Sequence, residues 1–246
     1  LGLAIAICIV QDAVGSGLAA AFGLDPLLGL CMGSMPLVGG HGTSGSFGPL
    51  LETDYAVVGA TTVALAAATY GLVSGSMMGG PIARARVEKL HLKSTAAAEG
   101  NETAEVMPAV DGQKFTTSAM FLAVAIGLGT LIFTFFKDVC HLTFPTYIGA
   151  MLAAAAIRNI WDVQMVEIDA LGGLSLNLFL SMAMMSLKLW QLAALALPMI
   201  VILLVQTVVM FLFANFVVFN VMGRDYEAAA MTTPFCGFGM GATPNA

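Results

Sequence analysis

A chain of 246 residues with 59% hydrophobic and only 10% charged side chains is composed for lipid, because soluble domains carry about 25% charged residues. Its formal net charge of -6 rests on few groups, and 9 Lys and Arg are too sparse for a nucleic-acid surface. Cys8, Cys31, Cys140 and Cys236 stand apart in or beside apolar runs, with no C-x-x-C pair to support a zinc site or a disulfide framework, and read as small packing residues.

In chain order, residues 1–22 are an apolar helix close to the ~20 residues that a membrane span needs. No basic leader or cleavage signal accompanies it, so it is not a signal peptide. Gln11 and Asp12 interrupt the apolar run. A mid-span Asp costs about 2.5–3.5 kcal/mol on insertion scales, so Asp12 either faces a bundle interior or snorkels from a helix end. The chain opens inside this helix and closes inside a Gly-rich stretch, so it is expected to be a piece of a longer protein.

Gly23-Leu24-Asp25-Pro26 predicts a stop and a new start: Gly closes one helix, Asp caps the next, and Pro suits its first turn. Residues 27–38 reach roughly 20 Å into a ~30 Å core at ~1.5 Å per residue, too short to cross. They are expected to dip in and stop at Gly39-Gly40. Residues 47–51 would return the chain and leave Glu52-Thr53-Asp54 at the water, which makes a re-entrant hairpin.

Residues 55–78 predict a span rich in small residues, ended by Gly79-Gly80-Pro81. Residues 81–114 are polar, with a flexible middle. Further spans are predicted over 115–136, 144–157, 166–187 and 192–222, with a turn at Lys137, Asp138 and His141. The third of these spans is broken at Gly172-Gly173, and Lys188 and Trp190 sit at an interface.

Gly223-Arg224-Asp225 then opens a second element. Subtracting Asp25 from Asp225 gives 200, and the same offset links Gly23 to Gly223, Gly39 to Gly239 and Thr43 to Thr243. Val10-Gln11 and Val205-Gln206 occupy matching places in the preceding helices, which suggests paired support for the two hairpins. Most Lys and Arg, including Arg158 and Arg224, fall on the linker's side, which the positive-inside rule makes cytoplasmic. The first hairpin then enters from outside and the second from inside. Paired broken segments in two halves point to a transporter's binding site. The expected fold is all-α: a polytopic membrane protein, an inverted-repeat transporter with two re-entrant pore loops. Residues 1–80 end the N-terminal repeat, 81–114 form a cytoplasmic linker, and 115–246 form most of the C-terminal repeat.

The run from Leu24-Asp25-Pro26-Leu27 to Gly39-Gly40-His41-Gly42-Thr43 resembles the first pore-loop motif of bacterial sodium/glutamate symporters. Cys236-Gly237-Phe238-Gly239-Met240-Gly241-Ala242-Thr243-Pro244 resembles the second, and residues 174–183, 187–190, 196–199 and 205–207 match too. Pro36, and Asn245 where a Thr is usual, depart from the pattern. The resemblance implies two five-helix inverted halves in the bacterial inner membrane, a homodimer, an elevator-like movement, and sodium-coupled uptake of L-glutamate. No cofactor is implied; Na+ is the coupling ion, and the lipid bilayer is the remaining partner.

Such a substrate needs donors for two carboxylates, and sodium needs hard oxygens. A broken helix offers both, as free N–H groups and free carbonyls. The carbonyls of Gly39, Gly40, Gly239 and Gly241 are expected near sodium. The hydroxyls of Thr43, Ser44 and Thr243 are expected to meet sodium or a substrate carboxylate, and the N–H groups of Gly42, Thr43, Ala242 and Thr243 to face carboxylate. Asn177, near Ser175, either bonds between helices or reaches the substrate; His41 binds a carboxylate, senses protons, or rests neutral on backbone. Arg158 either anchors at the interface or neutralises the substrate side chain.

Three other readings stand beside symport of glutamate. A carrier of a related dicarboxylate, driven by Na+ or H+, would use the same groups. Gly42-Thr43-Ser44-Gly45 fits the G-x-S-G of intramembrane serine proteases, which would need His91 or His141 to reach Ser44 and leaves the second Gly-rich copy unexplained. A passive channel would dissipate gradients instead of using them.

Overall fold

The computed structural model describes residues 1–91, 111–140, 146–161, 165–186 and 189–241. Contacts group the chain into two compact units, residues 1–99 with 186–246, and residues 100–185. Every regular element among the described residues is helical. Among the described residues, four helices are long and apolar enough to cross a membrane: Gly2–Ala21, Ala60–Leu90, Gly112–Val139 and Leu195–Val221.

In the first unit, α1 (Gly2–Ala21) ends at a left-handed Gly23, φ 72°. Leu24 N–H closes back on Ala19 O at 2.9 Å. The same device recurs 200 residues on: Gly223 has φ 117°, and Arg224 N–H bonds Phe219 O at 3.2 Å. Asp25 then caps α2 (Pro26–Leu30), its Oδ1 accepting from Leu27 N at 2.8 Å. Asp225 caps the last helix likewise, accepting from Ala228 N at 2.7 Å.

The first hairpin differs from expectation in its middle. Its first limb is two short helices, α2 and α3 (Ser34–Leu37), parted at Cys31-Met32-Gly33. The reason is Asp12, whose carboxylate accepts from Ser34 N at 2.7 Å and Ser34 Oγ at 2.9 Å and so caps α3 from a neighbouring helix. Asp12 thus faces the interior. The break itself is confined to Val38-Gly39, because α4 (Gly40–Asp54) already begins at Gly40. Glu52, expected at the water, is half-buried and accepts from Thr61 N at 3.0 Å at the start of α5 (Ala60–Leu90).

Gly79-Gly80-Pro81 does not end α5, which runs on to Leu90. The small residues serve packing instead. A Cβ on Gly71 or Gly75 would meet Met240 within 2.5–2.7 Å, and one on Gly79 would lie 3.0 Å from Thr233. Gly71, Gly75 and Gly79 recur every fourth residue, so one face of α5 accepts another helix at backbone distance. The start of the expected linker at 81 is therefore helical; residues 92–110 lie outside the described residues.

In the second unit, α6 (Gly112–Cys140) packs on α7 (Thr146–Ile160), with Ala125, Ala153 and Ile157 buried between them. Lys137 and Asp138 belong to α6 and not to a turn, and His141 lies outside the described residues. α8 (Met165–Ser186) passes through Gly172-Gly173 unbroken. Neither glycine has an atom within 4 Å of a would-be Cβ, so no partner bends the helix there.

Back in the first unit, α9 (Leu189–Leu212) continues through a π-helical turn, Phe213–Val218, into α10 (Phe219–Val221). Arg86 explains the widened turn: its Nη2 donates to Asn215 O at 2.8 Å and its Nε to Asn215 Oδ1 at 2.9 Å. The guanidinium also lies 4.8 Å from the centroid of the Phe219 ring. α11 (Tyr226–Gly239) is the first limb of the second element, a single helix despite Pro234.

Candidate functional site

The two Gly-rich breaks come together. Gly40 has φ 68° and Gly241 has φ 83°, conformations that favour glycine. The Gly241 carbonyl oxygen lies 4.0 Å from where a Cβ on Gly40 would stand. A Cβ on Gly241 would in turn meet Pro36 O at 3.3 Å, Leu37 O at 3.4 Å and Ala68 O at 3.8 Å. At the end of α3 both Val38 N and Gly39 N bond Ser34 O, at 2.8 and 3.1 Å, which leaves the later carbonyls aimed at the second break.

The predicted oxygens are partly engaged. Thr43 Oγ1 donates to Gly39 O at 2.9 Å, Ser44 Oγ donates to Gly40 O at 2.8 Å, and Gln11 Nε2 donates to Gly239 O at 2.7 Å. Each carbonyl keeps a second lone pair, and each hydroxyl oxygen can still accept. Pro36, Leu37 and Ala68 add carbonyls that the sequence pattern did not single out. Pro36 and Leu37 belong to a helix too short to leave a periodic signature, and Ala68 lies inside α5, so nothing local in the sequence marks their carbonyls.

No side chain caps α4, so its first N–H groups stand free beside the break. An N-terminus of this kind attracts carboxylate. Gly42 is exposed and Thr43 half-buried there, whereas Gly40, His41 and Ser44 are buried. His41 therefore sits in the first turn of α4 and not in an unwound loop. Thr69 Oγ1 donates to Leu65 O at 2.9 Å and is hydrogen-bonded with His41 Nε2 at 3.0 Å. The partner of the histidine's Nε2 is thus a side-chain hydroxyl and not backbone.

Ala242 and Thr243 lie outside the described residues. Asn177 belongs to the second unit, mid-way along α8, with an exposed side chain; Ser181 Oγ donates to its carbonyl at 2.9 Å. Arg158 sits in the last turn of α7.

Two glutamines bond carbonyls beside the second break and along the first hairpin's support. Gln11, on α1, reaches Gly239 O beside the second break. Gln206, on α9, donates to Gln11 O at 2.7 Å and to Met32 O at 3.3 Å, in the turn that interrupts the first hairpin. Both side chains are 0% exposed. No donor reaches either Oε1, although leaving a buried acceptor unmade costs about 1–3 kcal/mol.

The arrangement offers neutral oxygens from several chain segments next to free backbone N–H groups, a constellation for a hard monovalent cation and an anion. Among the described residues, no three His, Cys, Asp or Glu gather as a metal cluster.

A family model described as sodium/glutamate symporter matches residues 1–246. The sodium/glutamate symporters of Escherichia coli K12 and Shigella flexneri are each 39% identical over 254 aligned positions, which cover 98% of this chain and 63% of the relative. That of Haemophilus influenzae is 34% identical over 250 positions, covering 96% and 61%. The chain thus spans less than two thirds of the length of these curated relatives. No solved structure matches.

Proposed function

Because the chain belongs to the sodium/glutamate symporter family, we propose that the whole protein carries L-glutamate across a bacterial inner membrane, driven by sodium. The observation that carries the reading is the meeting of the two breaks, with Gly241 O facing Gly40 and the Pro36 and Leu37 carbonyls facing Gly241. Irregular backbone at membrane depth persists where protein buries it or where it lines a watery cavity. Binding both ion and substrate at such a junction makes each stabilise the other, which is the thermodynamic content of coupling.

In this reading the two hairpins are re-entrant from opposite sides, the halves are inverted repeats, and the linker of residues 81–114 is cytoplasmic. The repeat division at 1–80 and 115–246 belongs to the same proposal, as does a homodimer. Sodium takes backbone oxygen from Gly39, Gly40, Gly239 and Gly241, and the Thr43 and Ser44 hydroxyl oxygens add to it. The N–H groups of Gly42 and Thr43, with those of Ala242 and Thr243, hold substrate carboxylate. The relatives are named as symporters. The protease reading loses support, because the relatives are named as symporters and Ser44 Oγ donates to Gly40 O.

The test is uptake of labelled L-glutamate into proteoliposomes by the full-length protein. A sodium gradient is expected to drive accumulation, and Thr43→Val to weaken it. Equal uptake under a proton gradient alone would move the assignment to a proton-coupled dicarboxylate carrier.

A further inference from the structure

Gln11 and Gln206 pose a problem that their hydrogen bonds do not solve. Each spends its amide nitrogen on carbonyls of the opposite half, and each keeps a buried oxygen that no donor reaches. Turning either amide over would set its oxygen against those carbonyls, so the acceptors fix both orientations. This run of hydrogen bonds therefore holds five amide oxygens, those of Gln11 Oε1, Gln206 Oε1, Gln11 O, Met32 O and Gly239 O, for two amide nitrogens.

Next in the chain is Asp12, half-buried at the midpoint of α1. Its carboxylate bonds Ser34 N and Ser34 Oγ, and among the described residues no Lys, Arg or His pairs with it. An uncompensated carboxylate within an apolar helix favours a cation over a neutral water at oxygens beside it.

We infer that Gln11 Oε1 and Gln206 Oε1 are ligands of a monovalent cation of sodium's size, held beside the charge of Asp12. This rests on the sodium-symport reading and adds side-chain ligands to it. The two glutamines lie on the helices that lead into the two hairpins, so a cation between them ties the position of one break to the other. Hard neutral oxygens suit such an ion, and the site needs no acid of its own.

The test uses the full-length protein, with sodium chloride compared against choline chloride. In Gln11→Met and Gln206→Met, which keep volume and remove the oxygens, the sodium concentration for half-maximal L-glutamate uptake is expected to rise at least tenfold. The rise of Tm with sodium in detergent is expected to shrink with it. Wild-type sodium dependence of both uptake and Tm in the two variants overturns the inference and leaves the oxygens to water. Should the Met variants fail to fold, Gln206→Glu decides, because it keeps an oxygen and adds charge. A severalfold lower sodium midpoint supports the site, and an unchanged one overturns it. Loss of the inference leaves wild-type sodium-driven uptake intact, whereas wild-type protein without such uptake removes the symport reading as well.

Discussion

The two hairpin limbs begin alike and end differently. Both open with a left-handed glycine and an aspartate cap, at Gly23 and Asp25 and again at Gly223 and Asp225. The first limb then breaks into α2 and α3, while the second runs as one helix to Gly239. The difference lies outside the limbs. Gln11-Asp12 on α1 matches Gln206-Thr207 on α9, and only the first pair carries a carboxylate. Asp12 caps Ser34, whereas Thr207 donates to its own helix at Leu203 O and meets the Tyr70 hydroxyl at 3.0 Å. A local repeat can thus be broken by one side chain on a neighbouring helix.

The comparison is broken most sharply at that side chain. Asp12→Ala removes two hydrogen bonds to a charged acceptor, and the full-length protein is expected to lose about 3 kcal/mol of unfolding free energy in detergent. Thr207→Val is expected to lose about 1 kcal/mol. Equal losses would mean that the carboxylate does not set the interruption apart.

A smaller effect is expected where the second limb seats on α5. Gly75→Ala would place a Cβ 2.7 Å from Met240 Cβ, an overpacking that costs about 1–3 kcal/mol. Gly172→Ala, with nothing within 4 Å, is expected to be neutral or to stabilise by up to about 1 kcal/mol, from the reduced freedom of the unfolded chain. Thermal unfolding of the two variants side by side checks the contrast. The smallest effect sharpens the likeness: Asp25→Ala and Asp225→Ala are each expected to cost about 1 kcal/mol, because each removes one N-cap bond. A loss at only one of them would show that the caps are not equivalent.

The caps and most of the long helices were legible because they depend on neighbours in sequence. Asp before Pro26, Gly23 after an apolar run and unbroken hydrophobic stretches act within a few residues. Gly79-Gly80-Pro81 misled, because the same glycines that end helices also admit a second helix, and only Thr233 and Met240 reveal which role applies. Gly172-Gly173 misled in the same way, in a helix that stays regular. The Arg86 clasp on Asn215 left no pattern to read, since it joins residues 129 apart in the chain.

What the sequence determined by itself was the apolar helical class, the two Gly-rich breaks, the offset that relates them, and the pairing of Gln11 with Gln206. Tertiary structure decided that Gly40 and Gly241 face each other, that Asp12 interrupts the first limb, and which carbonyls are already taken. The physical reason is range. Helix caps and hydropathy are settled by bonds a few residues long, whereas the partner of a free carbonyl or a buried amide is chosen by whatever segment packing brings beside it.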